Sequence, residues 1–200
     1  FLPSTAVNFI EMWHPDTFDM PTITRELGWA ADIGFNAIRI NLPYLGWVHD
    51  ADGLMKRLDQ VMDVAHGLGI DTIPCLFDDC GFGGDEPVWG SQAEPVPGVH
   101  NSRAVASPGR AIVMDPEQRE SLQAYVQAVV RKFRDDRRIL FWDLYNEPGN
   151  RMNFADGDFE HYASALEQSA LSLMESCFEW ARSQYPVQPL TVAAWTTPLP

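Results

Sequence analysis

Twice along this chain a helical stretch ends in a glycine that leads straight into an apolar strand: Ile33-Gly-Phe-Asn-Ala-Ile-Arg39 and Leu68-Gly-Ile-Asp-Thr-Ile-Pro74. Glycine is the residue that most readily closes a helix with a left-handed backbone turn. A recurring helix-then-strand unit needs crossover connections, and these are right-handed and build a parallel sheet covered by helices. That repeat removes all-α and all-β folds from consideration.

Read in this frame, the chain offers five strands, at about residues 5–13, 36–42, 70–77, 139–149 and 190–195. Asp19 is placed to cap a first helix with a stripe of Ile23, Leu27, Ala30 and Ala31. A second helix, from about Gly53 to Leu68, aligns Leu54, Leu58, Val61, Met62, Ala65 and Leu68, after a loop carrying Tyr44, Trp47 and His49. Asp115-Pro-Glu-Gln118 combines an N-cap, a proline at the first helical position and a capping-box partner. The helix it opens has Leu122, Tyr125, Val126, Val129, Val130 and Phe133 on one face. A fourth helical region is expected from Asp156 or Asp158 to about Tyr185. Between Asp78 and Met114 there is no periodicity, only Gly, Pro and polar residues, among them Asp79, Trp89, His100 and Asn101. A loop of that length on a rigid scaffold commonly shapes a binding site.

The stretch at 139–149, Ile-Leu-Phe-Trp-Asp-Leu-Tyr-Asn-Glu-Pro-Gly, carries the chemistry. Its apolar run is that of a strand buried on both faces. It stops where Asn146 and Glu147 set a carboxamide beside a carboxyl. Pro148 is expected to keep Glu147 extended. A carboxyl at the mouth of an apolar sheet suits a general acid, since desolvation favours the neutral form. Strict alternation would send Asn146 and Glu147 to opposite faces, so a joint role requires an irregular strand. The same alternation puts Asp143 with Phe141, Tyr145 and Glu147, as a buried and hydrogen-bonded structural group.

Charge narrows the partners. A formal net charge of −14 and a pI near 4.5 disfavour nucleic acid, which needs clustered Lys and Arg, and an anionic membrane surface. A neutral carbohydrate or small metabolite fits better. The three cysteines, Cys75, Cys80 and Cys177, have no metal-ligand spacing and read as buried or free thiols. His14, His100 and His161 show no metal spacing either, and neither a metal nor a cofactor is expected. No glycine-rich dinucleotide fingerprint follows the first strand, and no nucleophile elbow of the G-x-S-x-G type occurs. Polar and aromatic residues gather after the strands, at Glu11 and Trp13, Asn41, Asp78, Asn146 and Glu147, and Trp195; in α/β folds that edge binds ligands. A (β/α)8 barrel fits best, with the 200 residues forming the amino-terminal part of one domain.

Trp142-Asp-Leu-Tyr-Asn-Glu-Pro148 resembles the fourth-strand motif of the clan A retaining glycoside hydrolases, the cellulase-like (β/α)8 barrels. Arg39 in Ala-Ile-Arg-Ile matches the arginine of their second strand, Trp195 closes the fifth, and Glu11-Met-Trp13 is similar to cellulase- and xylanase-type members. The resemblance implies Glu147 as acid/base, Asn146 on the sugar's 2-hydroxyl, and Arg39 supporting the catalytic carboxylates. It implies a β-glycoside substrate and a nucleophilic glutamate on the seventh strand, beyond Pro200. Where such enzymes often carry a histidine after the third strand, this chain has Asp78 and Asp79. Trp13 and Trp195 are candidate sugar-stacking residues, with Glu11, Asp78 and His100 as further substrate contacts; Trp47 and Trp89 are weaker ones. The alternatives are a carbohydrate-binding barrel without a nucleophile and, less well supported, a barrel lyase or isomerase. A piece ending at the fifth strand leaves the first and fifth strands as open edges, which predicts self-association.

Overall fold

The computed structural model describes residues 1–150 and 164–194. Both copies of the helix–glycine–strand phrase form the same joint. Helix α2 (Met20–Asp32) ends where Gly34 takes a φ of +93°, and helix α3 (Tyr44–Gly67) where Gly69 takes +77°. At the first joint Gly34 N–H donates to Ala31 O (2.9 Å) and Phe35 N–H to Ala30 O (3.0 Å). At the second, Gly69 N–H donates to His66 O and Ile70 N–H to Ala65 O, both at 2.9 Å. These paired bonds are the Schellman closure, which satisfies the last carbonyls of a helix while turning the chain. Each joint launches a strand.

Among the described residues four parallel strands result, in sheet order β1-β2-β3-β4: β1 (Ala37–Asn41), β2 (Asp71–Asp78), β3 (Trp142–Asn146) and β4 (Leu190–Ala193). Helix α5 (Arg119–Phe133) follows a 3-10 turn at Pro116–Gln118, where the Asp115 carboxylate accepts Glu117 N–H at 3.0 Å. All six residues expected on its apolar face are buried. Tyr125 on that face donates its hydroxyl to Leu42 O (2.9 Å) and Leu76 O (3.2 Å), so one helix side chain ties together the ends of β1 and β2. Helix α6 (Ser164–Arg182) buries Leu166, Ala170, Leu173, Cys177 and Ala181; a start at Asp156 or Asp158 lies outside the described residues.

Several boundaries differ from expectation. Residues 5–13 form no strand: Phe9–Trp13 is a short helix, α1. Asn8 Oδ1 accepts Ile10 N–H and Glu11 N–H, both at 3.1 Å, and the Glu11 carboxylate accepts Val7 N–H at 2.7 Å. This reciprocal cap settles a short apolar run that is compatible with either element. Tyr44, Trp47 and His49 lie in α3 and not in a loop, because α3 starts at Tyr44 and breaks only at Asp50, whose φ is −155°. There the Asp50 carboxylate accepts Gly53 N–H (3.1 Å) and pairs with Arg57 (2.9 Å), restarting the helix. Leu68 is 39% exposed and not part of the buried stripe. The long segment is also less irregular than its sequence suggests. It returns to the sheet as Ser107, which exchanges two 2.7 Å backbone bonds with Asp78, and ends in helix α4 (Arg110–Met114).

Candidate active site

Three consecutive residues at the exit of β2 hold three pieces of the exit of β3. Asp78 is the first of them. Its Oδ1 accepts Asn146 Nδ2–H and Cys80 N–H, each at 2.8 Å, and its Oδ2 accepts Asn41 Nδ2–H from the end of β1. Burial pushes its carboxyl above the ordinary range, against the bonds from Asn146 and Cys80 and the charge of Arg39.

Asp79 faces the other way. It accepts the Tyr145 hydroxyl (2.8 Å) and Gly149 N–H (2.6 Å), while its own N–H donates to Asn146 O (3.1 Å). Burial raises its pKa from 3.8 to about 7; the charge of Asp78 adds to this, and the bonds from Gly149 and Tyr145 oppose it. The buried guanidinium of Arg110 braces the same turn, donating to Asp79 O (3.1 Å) and Gly81 O (3.3 Å).

Cys80 completes the series. Its thiol donates to Glu147 Oε2 at 3.0 Å and accepts from Asn146 Nδ2 at 3.1 Å. Asn150, fully buried, donates to the same Glu147 oxygen at 2.5 Å. Burial, followed by the charge of Asp78 and the contact with Glu147, pushes the thiol far above its ordinary pKa, so it stays a neutral donor.

The backbone brings these groups together by breaking the regular ladder. The β3–β4 register shifts between Asp143 and Asn146. Asp143 pairs with Arg39 (2.5 Å), and Asn146 shares Asp78 with Asn41, two residues further along β1. Both β3 side chains therefore meet one face of β1, although they are three residues apart and strand alternation has period two. Asp143 is thus not on the side of Tyr145, whose ring packs 5.7 Å from Phe77, which in turn packs on Tyr125 of the helix layer. Nor does Pro148 hold Glu147 extended. Glu147 adopts a φ of +48°, its N–H donates to Ala193 O (2.6 Å), and its carbonyl accepts Asn150 N–H (2.9 Å). A non-glycine residue in that region costs about 1–3 kcal/mol, and such strain collects at functional sites. The turn, held by Asp79 at Gly149, aims the Glu147 carboxylate at Cys80 beside Asn146.

A cavity of about 330 Å³ opens over this edge, with Asn41, Asp78, Cys80 and Asn146 on one side and Asn8, Phe9, Phe82 and Asn101 among its other walls. The remaining sequence candidates fall elsewhere. Trp13 is fully buried, donating its indole N–H to Asn41 O at 2.7 Å and stacking on Phe18, so it supports the β1 exit and has no face for a sugar. Glu11 is occupied in capping α1. Arg39 engages Asp143 and not Glu147. His100 is exposed, 3.0 Å from the Asn101 amide, and only Asn101 of the two lines the cavity. Trp89 packs between His14 and His49, and Trp47 against Tyr44 and Tyr125. Trp195 lies outside the described residues. Cys80 and Asn150 were not singled out from sequence as site residues, and Asp79 only as a loop carboxylate beside Asp78. Only their closeness to Asp78 and to the Asn-Glu-Pro turn could have pointed to them.

No protein-family model matches the sequence, and no curated protein matches it. Solved structures do match in fold. A β-1,4-D-mannanase from Cryptopygus antarcticus superposes with a TM-score of 0.66 at 12% identity, over 94% of this chain and 54% of its own. The fold is part of a (β/α)8 barrel. A β-1,4-mannanase from the sea hare Aplysia kurodai gives 0.64 at 15% identity, covering 98% of this chain and 60% of the enzyme. A glycoside hydrolase from Streptomyces cattleya, crystallised with Manβ1-4GlcNAc, gives 0.57 at 16% identity over 92% and 41%. The chain thus spans between 41% and 60% of these enzymes' lengths. Among the described residues no helix is long and apolar enough to cross a membrane, and no group of three or more His, Cys, Asp or Glu is placed to hold a metal ion.

Proposed function

We propose that the protein is a retaining β-glycoside hydrolase with Glu147 as its acid/base. The observation that carries this reading is the convergence of Asn146, Glu147 and Cys80 across the adjoining exits of β2 and β3, produced by a strained turn in a fold shared with solved β-mannanases. Glu147 Oε2 receives both the Cys80 thiol and the Asn150 amide, which leaves Oε1 as the oxygen that exchanges a proton with the glycosidic oxygen. Retention also needs a nucleophilic carboxylate about 5–5.5 Å away. Asp78, Asp79 and Glu11 are committed to structural bonds, so the reading takes the nucleophile from beyond residue 200. That same commitment favours the alternative of a carbohydrate-binding barrel without hydrolysis. β-1,4-Mannosides are the first substrates to offer, followed by xylan and cellulose. In the full-length protein Glu147→Gln is expected to lower turnover of unactivated β-glycosides by about 10²–10⁴-fold. Unchanged turnover removes Glu147 from the mechanism; binding without turnover in the unsubstituted protein selects the alternative.

A further inference from the structure

Asn41 and Asn146 both line the cavity, and both give their NH₂ groups to the same carboxyl. An ionised carboxylate only accepts hydrogen bonds, so an amide docked on it must present nitrogen inward and oxygen outward. Asp78 is nearly fully buried, and its Oδ1 also accepts Cys80 N–H, which braces it against rotation. Asn8, a third amide in the cavity wall, offers no comparable acceptor. Its Oδ1 caps α1, and its Nδ2 donates to Gln92 Oε1 (2.8 Å) and Arg103 O (3.0 Å).

We propose that Asp78 is a positioning residue for substrate recognition: by holding two amides through their nitrogens, it turns the carbonyl oxygens of Asn41 and Asn146 toward the cavity as a paired acceptor for two adjacent sugar hydroxyls. The proposal rests on the glycoside reading above. It defines the substrate class more narrowly, as glycosides whose ring carries two free neighbouring hydroxyl donors at this position. A ring with either hydroxyl replaced by hydrogen leaves one amide oxygen unpaired.

The test is a binding titration of the full-length protein with p-nitrophenyl β-D-mannoside and its 2-, 3-, 4- and 6-deoxy forms, read by NMR shift changes. Deoxygenation at two neighbouring ring positions should each weaken binding by about tenfold, with the other positions near neutral. Asp78→Asn is nearly isosteric, but an amide at 78 must offer an NH₂ to one of the two asparagines, which then turns its own nitrogen outward. A hydroxyl can also accept from that outward NH₂, so the variant is read with fluorine in place of each hydroxyl, which accepts but cannot donate: the unsubstituted protein should disfavour fluorine at both positions by about tenfold, and Asp78→Asn at only one. Asn41→Ala should remove discrimination at one position and retain it at the other. If Asp78→Asn weakens the parent sugar and every deoxy and fluoro form by a common factor, its role is structural only and the proposal is overturned. Discrimination at two non-neighbouring positions overturns it as well. If the unsubstituted protein binds none of the mannosides, nor the corresponding glucosides or xylosides, the glycoside reading fails and takes the proposal with it.

Discussion

Asp79 is a buried acid whose titration the fold should report. Burial and the neighbouring Asp78 raise its pKa from 3.8 to about 7 in the folded chain. Between those values the unfolded chain carries an ionised Asp79 and the folded chain a protonated one, so unfolding releases a proton and stability falls as pH rises. The contribution is complete below a pH of about 3.8 and is lost as pH rises through about 7. A gap of about three units at ~1.36 kcal/mol each amounts to about 4 kcal/mol across the window. Asp79→Asn removes the titration and can keep both bonds, its carbonyl accepting Gly149 N–H and its NH₂ donating to the Tyr145 hydroxyl. Urea unfolding of both proteins at pH 4, 6 and 8 isolates the term by difference, because the carboxylates held low, such as Asp136, titrate alike in both. The stability of the wild type relative to the variant should drop by about 4 kcal/mol from pH 4 to pH 8, at no more than ~1.4 kcal/mol per pH unit. A difference constant to within about 1 kcal/mol across that range would refute a neutral Asp79, and one that grows with pH would reverse the sign of the argument.

Two further outcomes follow from the same geometry. Arg39→Met strands the carboxylate of Asp143, whose side chain is 3% exposed; the loss should be about 2–4 kcal/mol, at the lower part of the range for a broken buried pair because Arg39 is itself 37% exposed. Adding Asp143→Asn should recover part of it, and a urea midpoint no better in the double variant than in the single would contradict that account. Thiol labelling tests the cysteines: Cys75 and Cys177 are buried, and burial pushes all three thiols up. Iodoacetamide at neutral pH should modify all three in urea and leave the native protein unmodified over the same interval, so rapid native alkylation of Cys80 would mean that burial does not keep its thiol neutral.

How much could be read in advance depended on the range of the forces involved. Asp19 caps the helix its local sequence says it caps, Asp115 caps the 3-10 turn that leads into α5, and the α5 face is the one its spacing describes, because caps and apolar stripes act within a turn or two. The failures are also physical. Phe9–Trp13 is too short for periodicity to separate helix from strand, and the Asn8–Glu11 cap decided it. Trp13 looked like a sugar platform because it is a large aromatic near an expected strand end. Only packing reveals that its ring is sealed under Asn41 and its N–H spent on a backbone carbonyl.

The Asn-Glu-Pro turn shows the division most clearly. From the residues alone came a parallel α/β sheet, a strand ending in Asn146 and Glu147, and the requirement that the strand be irregular if both side chains serve one site. Those follow from patterning and from the two-residue period of a strand, which are local properties of the chain. The means of meeting that requirement are tertiary. They are the register shift against β4, the left-handed Glu147, and the hold of Asp78, Asp79 and Cys80 on Asn146, Gly149 and Glu147, which joins residues 67 to 70 positions apart. No spacing rule connects positions so distant. They meet because parallel pairing sets the exit of β2 beside the exit of β3, where buried carboxyls must find donors and the Asn-Glu-Pro turn supplies them.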